Sequence, residues 1–385
     1  MTVVLHVQKV SGISGSENHL LLLLPQLRKR GWDVRFAMLH EGEPGAREFA
    51  TRLSGAGVPV DDVRLPHPSD PRSFRRLVGI VRRHRPQILH THLVHADFHG
   101  LTAGKLARVP VLASTKHGFN PFRSSRMFAL ADRAVARLAD VHIAISAGLA
   151  RYLVESERFA STLFEVVPYG IEPGPEPSPP PEEPRLLAVG RLIPIKGFDV
   201  LLRAFAEAQR EVPSLTLEIA GEGPLEAELR TAAPPGVAFR GRVEPIWPAM
   251  ERAAIVVVPS RGEGFGMVAL EASERGRPVI VSRVGGLPEI VLDGETGLVV
   301  PSEDPAALAD AIVKLASDLP RAAELGEAGR RRVLAEFRQE RCTDRIEELY
   351  RASLARAGKE SRAHTQARSS ASAASSASRK SNGTR

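Results

Sequence analysis

Ile255-Val-Val-Val-Pro-Ser-Arg-Gly-Glu263-Gly-Phe-Gly-Met-Val-Ala-Leu-Glu271 decides how this chain folds. The apolar run from Ile255 to Pro259 reads as a strand buried on both faces, as in a parallel sheet. Glycines at 262, 264 and 266 then let the backbone turn sharply and approach a ligand closely. From Met267 the pattern is helical. Glu263 therefore sits in a strand-to-helix loop, and Glu271 about one turn into the helix. A helix N-terminus offers free N–H groups and the positive end of a dipole, which suits a phosphate. The two carboxylates flank that point and can accept hydrogen bonds from hydroxyls on either side. Hydroxyls on both sides of a diphosphate describe a nucleotide sugar. The plainer reading is a loop with two solvated glutamates, and a second half-site upstream weighs against it.

That half-site is Leu186-Leu-Ala-Val-Gly190-Arg191-Leu-Ile-Pro-Ile-Lys196-Gly197-Phe-Asp199. Leu186 to Val189 reads as a short buried strand ended by Gly190. Two cations follow within one loop. Arg191 offers a planar fork and Lys196 a point charge, and both suit a diphosphate.

Taken together, Arg191, Lys196, Glu263 and Glu271 resemble the signature of retaining glycosyltransferases of family 4, whose GT-B fold is two doubly wound Rossmann-like α/β domains facing across a cleft. Further pieces occur in the same order: Val167-Pro-Tyr-Gly170-Ile-Glu172, Ile219-Ala-Gly221-Glu-Gly223-Pro224, Val279-Ile-Val-Ser282-Arg-Val-Gly285-Gly286-Leu-Pro-Glu289 and Asp293-Gly-Glu-Thr-Gly297-Leu. The resemblance implies that Arg191 and Lys196 hold the diphosphate, Glu271 the ribose, and Glu263 the donor sugar. It also implies a cleft histidine at the donor sugar, which falls on His117 in Ser114-Thr-Lys-His117-Gly118-Phe-Asn120. Donor-binding candidates on the same basis are Gly15, Gly190, Gly264, Phe265, Gly266 and Met267. Ser16, Glu17, His92 and Asn120 are the acceptor-side candidates.

Alternating strand-like and helical runs support the same fold class. Strand-like runs are Val3–Val7, Asp33–Leu39, Gln87–His90, Val111–Thr115, His142–Ile145 and Phe164–Val167, then Leu186–Val189, Leu215–Ala220, Val237–Phe239, Ile255–Val258, Val279–Val281 and Leu298–Val300. The Pro-rich stretch 172–184 can be neither a helix nor a central strand. The expected organisation is an acceptor domain over 1–171, a linker over 172–184, and a nucleotide-sugar domain over 185–337. A helix over 338–355 is expected to cross back to the first domain, ahead of a disordered basic tail over 356–385.

The chain has 385 residues, 43% of them hydrophobic, enough for two ordinary domains. No apolar run approaches the roughly 18 residues that span a bilayer. Met1 leads directly into a strand-like run, so no secretory signal is read. The single cysteine, Cys342, excludes an internal disulfide and fits a cytoplasmic location. Of the formal net charge of +7, most lies in the tail, where seven basic residues from Arg356 onward face the single acid Glu360. The rest is near neutral, so a nucleic-acid partner is not expected.

The first loop, Lys9-Val-Ser-Gly12-Ile-Ser-Gly15-Ser16-Glu17, opens a helix and suits a phosphate, but it is neither G-x-G-x-x-G nor a P-loop, and no NAD site is expected. It also lacks a strict Gly-Gly pair. His90, His92, His95 and His99 cluster after a strand. With Asp97 the nearest acid, they do not complete a zinc ligand set, and a polar loop at the cleft is expected. Arg-rich amphipathic stretches at Phe74–Arg85 and Phe122–Arg137 read as surface helices with snorkelling arginines, or as a membrane-facing edge for a lipid-linked acceptor.

The resulting expectation is a hexosyltransferase that moves a sugar, with retention, from a nucleoside diphosphate donor to a hydroxyl acceptor. A UDP donor is expected ahead of a GDP donor. The acceptor is a cell-envelope glycan precursor or a lipid-linked one, with peripheral contact at the inner membrane face. No cofactor and no metal are expected, since no Asp-x-Asp triplet occurs and two cations face the diphosphate. A nucleotide-sugar epimerase of the same fold and a non-catalytic nucleotide-sugar-binding subunit are the alternatives.

Overall fold

A computed structural model describes residues 1–67, 70–119, 126–156, 159–160 and 164–359. Seven parallel strands form the first sheet: β1 (Val3–Lys9), β2 (Asp33–His40), β3 (Val60–Arg64), β4 (Ile88–His92), β5 (Val111–Lys116), β6 (Val141–Ala144) and β7 (Phe164–Val166), in the order β3-β2-β1-β4-β5-β6-β7. Six more form the second: β8 (Arg185–Val189), β9 (Thr216–Ala220), β10 (Val237–Phe239), β11 (Ile255–Val258), β12 (Val279–Ser282) and β13 (Gly297–Val300), in the order β10-β9-β8-β11-β12-β13. In each sheet the order reverses beside its first strand, at β1/β4 and β8/β11. Ligands of open α/β sheets bind outside the strands' carboxyl ends at such points.

Alternation along each strand feeds two cores. Val4, Phe36 and Ile88 face one side of the first sheet, and Leu5, Ala37 and Leu89 the other. Strand β3 was not legible in the sequence. It is an edge strand with one fully buried residue, Val63, so it carries no apolar run.

The Pro-rich stretch after Ile171 is laid along the second domain. Gly174 donates its N–H to Glu274 (3.2 Å), while Arg275 and Arg277 donate to the carbonyls of Pro175 (2.6 Å) and Ser178 (2.8 Å). Prolines lack a donor but keep an acceptor, and two nearly buried arginines supply what is missing.

The last helix, 339–359, packs on the first sheet. Cys342, Ile346, Leu349 and Tyr350 join the core of Leu20, Leu24 and Phe36, and Glu347 accepts from Trp32 Nε1 (2.5 Å) and Arg30 (2.8 Å). The helix outruns the boundary expected at 355, because Leu354 and Ala357 still rest on the first-domain core. The remainder of the expected tail, 360–385, lies outside the described residues. Among the described residues no helix is long and apolar enough to cross a membrane.

The Arg-rich helix Pro71–His84 turns Leu77, Val78, Ile80 and Val81 into the first-domain core. Its apolar face is therefore not a membrane-facing edge, and its arginines face outward. Of the second Arg-rich stretch, residues 120–125 lie outside the described residues. The helix Arg126–Ala136 leaves Met127 and Leu130 exposed.

Candidate active site

Two loops of the second domain build half of the site. Pro194–Lys196 forms a single helical turn ended by Gly197 at φ +67°, where a Cβ would lie 2.1 Å from the Pro259 carbonyl oxygen. Only glycine fits there, so the Lys196 turn rests directly on the end of β11. Lys196 Nζ and Glu263 Oε2 are 2.5 Å apart. Arg261, which the sequence reading did not single out, ties the two loops together. It donates to both Asp199 oxygens (2.7 Å each) and to the Pro194 carbonyl (2.6 Å), and also pairs with Glu303. These partners hold its guanidinium well above its usual range, Asp199 first. Arg191 is exposed and makes no ion pair among the described residues, so its fork is available to a ligand. At Gly221 a Cβ would lie 1.9 Å from the Gly190 carbonyl oxygen, which explains the glycine pair at these strand ends.

Glu271 is partly buried, on the helix Met267–Glu274, and its carboxylate has no protein partner among the described residues. Burial, with nearby Glu274 adding to it, pushes its carboxyl up to about 7. Phe265 is buried between Tyr169 and Phe337 (ring centroids 5.5 and 5.9 Å away), so only its backbone is available to a donor.

The first domain supplies a second helix N-terminus. Gly15 opens the helix Gly15–Lys29, and a Cβ there would lie 3.7 Å from Met267 Cγ. Two helix N-termini, one from each domain, thus converge on the cleft. Glu17 is not an open acceptor-side group. It is buried and accepts from Gln8 Nε2 (2.5 Å), the Ser14 N–H (3.1 Å) and the Ser14 hydroxyl (2.6 Å), closing the helix cap. Ser16 is half-buried, its hydroxyl 3.1 Å from the same carboxylate. Asn120 lies outside the described residues.

His117 lies where the domains touch. A Cβ at Gly264 would be 2.6 Å from its carbonyl oxygen. Its Nε2 is 2.9 Å from His92 Nδ1, and its Nδ1 bonds the Tyr169 hydroxyl. His92 is wholly buried behind it, so it does not face an acceptor as expected. The expected polar histidine loop is instead interior sheet: His90 and His92 alternate along β4 and share a face with His6, which is in register with His90. Nitrogens of His6, His90 and His92 all lie within 4.8 Å of one another, a grouping that spacing in the sequence did not reveal. His95 and His99 belong to the following helical turns. Asp97 is buried against Lys116, Thr91 and Ser114.

Comparison with known proteins identifies the family and the fold. Residues 183–318 match the family Glycosyl transferases group 1, and residues 13–174 match Glycosyltransferase Family 4. A GDP-mannose-dependent alpha-(1-6)-phosphatidylinositol monomannoside mannosyltransferase of Mycolicibacterium smegmatis is 34% identical over 333 residues, covering 74% of this chain and 82% of that protein. The chain belongs to glycosyltransferase family 4. A D-inositol 3-phosphate glycosyltransferase of Corynebacterium diphtheriae is 35% identical over 42% of the chain and 41% of its own length. Among solved structures, Anabaena HepE in complex with UDP and glucose superimposes with a TM-score of 0.81 at 19% identity, over 91% of this chain and 100% of that one. Sucrose-phosphate synthase from Thermosynechococcus elongatus gives 0.74 at 24%, over 92% and 100%. The fold is GT-B, and the protein is a glycosyltransferase of the hexosyltransferase class.

This family 4 glycosyltransferase also carries a clasp across its cleft. Glu289 accepts from the N–H groups of Ala147 (3.0 Å) and Gly148 (2.7 Å), at the N-terminus of the first-domain helix Ala147–Glu155. A carboxylate at a helix N-terminus is favoured by the dipole. Beside it, Ser146 Oγ donates to the Gly264 carbonyl (2.6 Å), and a Cβ at Gly148 would lie 2.1 Å from the Gly285 carbonyl oxygen.

Proposed function

We propose that this glycosyltransferase moves mannose from GDP-mannose to a hydroxyl of an inositol-bearing glycolipid, with retention at the anomeric carbon. The observation that carries the donor and acceptor is the likeness to the mycobacterial mannosyltransferase, which spans 82% of that protein. It displaces the expectation of a UDP donor. In this reading, residues 185–337 take the donor and residues 1–171 the acceptor. Arg191, Lys196 and the N-termini of the helices at Gly15 and Met267 stabilise the departing diphosphate, the point where charge develops in the transition state. Glu271 binds the ribose, and Glu263, set by its pairing with Lys196, contacts the sugar with His117. Two cations and two helix dipoles supply positive charge without a divalent ion. A lipid-borne acceptor requires contact with a membrane face, in keeping with an inner-membrane, cytoplasmic role in cell-envelope glycan assembly. The exposed Met127 and Leu130, on the helix that follows the His117 loop, are the residues offered to it.

The test is a panel of nucleotide sugars, read by thermal shift and by release of free nucleoside diphosphate with and without phosphatidylinositol mannoside. Stabilisation follows ligand occupancy. GDP-mannose is expected to stabilise, and GDP to be released on adding acceptor. Stabilisation by UDP-sugars alone overturns the donor, and release independent of any acceptor overturns the transfer.

A further inference from the structure

The buried histidines form a chain from the crossing helix to the cleft. Tyr350, on the helix 339–359, places its hydroxyl 2.6 Å from His90 Nδ1 and 3.3 Å from His6 Nε2. His6 Nδ1 is 2.9 Å from His92 Nε2, and His92 Nδ1 is 2.9 Å from His117 Nε2. His117 Nδ1 then meets the Tyr169 hydroxyl. His90 Nε2 bonds the Thr115 hydroxyl at 2.7 Å. Burial, reinforced by neighbouring histidines including His19 and His90 and at His117 also by Lys116, holds His6, His92 and His117 well below the usual imidazole range, and burial lowers His90 to about 3. Each ring is therefore neutral at physiological pH, with one N–H and one acceptor.

Neutral rings joined nitrogen to nitrogen cannot choose their tautomers independently. If Tyr169 donates to His117 Nδ1, then His117 carries its proton on Nε2, as do His92 and His6 in turn, and His6 donates to Tyr350. Reversing any one link reverses them all. The 2.6 Å contact suits an O–H donor and the 3.3 Å contact a weak N–H donor. Tyr350 then gives its proton to His90 and accepts from His6, which selects the Nε2–H form along the chain.

We propose that Tyr350, His6 and His92 are positioning residues for transfer: through this chain they fix the tautomer and ring orientation of His117 against the loop of Glu263 and Gly264. The crossing helix thereby takes part in catalysis without touching the donor. This rests on the reading that His117 contacts the donor sugar. A metal ion held by His6, His90 and His92 is the competing use of these residues, and the nitrogens' pairing with one another and with hydroxyls argues for the chain instead.

The experiment is Tyr350→Phe in the full chain, with Leu349→Ala in the same helix as a packing control. Nitrogen-15 spectra of labelled histidines read the tautomers directly. Without the hydroxyl, His6 loses its acceptor, and the Nε2–H signal of His117 is expected to move to Nδ1–H. The kcat is expected to fall about tenfold, the equivalent of one hydrogen bond, with the KM for GDP-mannose and the affinity for GDP unchanged. Leu349→Ala is expected to lower Tm without changing tautomers. Should Tyr350→Phe not fold, Tyr169→Phe interrogates the other end of the chain by the same spectra. An unchanged His117 tautomer, a kcat loss equal in the packing control, or stoichiometric metal with these N–H signals missing overturns the proposal. His117→Ala separates the two readings: wild-type turnover there removes His117 from the donor, whereas the coupled tautomers stand or fall on the spectra.

Discussion

Lys196 and Glu263 form a 2.5 Å ion pair between two loops of the second domain, at the face turned to the first. The pair places a cation beside the carboxylate that would otherwise repel an anionic donor. Lys196→Ala removes the cation and leaves Glu263 partly buried with, among the described residues, only the distant Ser260 hydroxyl (3.5 Å) as a donor. A charge-assisted bond is worth about 1.5–3 kcal/mol, so GDP-mannose is expected to bind about 10- to 150-fold more weakly. Calorimetric titration checks this, and unchanged affinity in a folded variant removes Lys196 from the donor site.

Glu271 should impose a pH signature. Its folded-state carboxyl, raised to about 7 by burial and by Glu274, sits above its unfolded value. A raised carboxyl contributes stability that is full below the unfolded pKa and is lost as pH rises through about 7. Glu271→Gln is therefore expected to be more stable than the parent at pH 8, by about 1–3 kcal/mol, and no more stable at pH 4. The same variant should bind donor less tightly at pH 8, where the carboxylate is the better acceptor for ribose hydroxyls. Melting curves across pH decide the matter: parallel curves for the two proteins count against a raised Glu271.

The contact of Gly264 with His117 sets the distance between domains. Gly264→Ala puts a methyl 2.6 Å from the His117 carbonyl oxygen and must push the loops apart. Overpacking costs about 1–3 kcal/mol, and a shift of about 1 Å at a reacting centre costs about a hundredfold in rate. Gly118→Ala next door meets nothing within 4 Å and should leave stability alone. Measured side by side, equal stability in the two variants contradicts the steric account.

The Glu289 clasp predicts a change of shape. Glu289→Ala leaves the N–H groups of Ala147 and Gly148 without their carboxylate. The domains are expected to separate, with a larger radius of gyration in X-ray scattering and a stability loss of about 1–2 kcal/mol, typical of a lost cap. An unchanged scattering profile means that Ser146 and the glycine contacts suffice to hold the cleft.

Transfer is expected to persist in EDTA, because in the proposed function Arg191, Lys196 and two helix N-termini supply the positive charge for the diphosphate. Activity abolished by chelator and restored by manganese or magnesium overturns this charge arrangement.

The local chemistry was legible in the sequence because it is local. The loops at Lys196 and Glu263 lie between runs whose apolar period marks strand and helix, and glycine is the residue that close backbone approach demands. Two parallel sheets and twelve of the thirteen strands among the described residues followed from those patterns; strand β3 escaped because an edge strand need not be apolar. Long-range pairing was not legible. His6 and His92 stand 86 residues apart, and only strand register brings them together. Glu17 read as a free carboxylate until the fold gave it Gln8 and Ser14 as partners. Arg261 drew no reading at all, and Glu289 read as part of a loop motif. A single sequence carries the period of each element, whereas the register between strands and the approach of two domains belong to packing. Here the sequence determined the fold class and the strand-loop-helix form of the loops at Lys196 and Glu263. The tertiary structure decided which side chains face the cleft and which are spent on caps, clasps and the buried histidine chain.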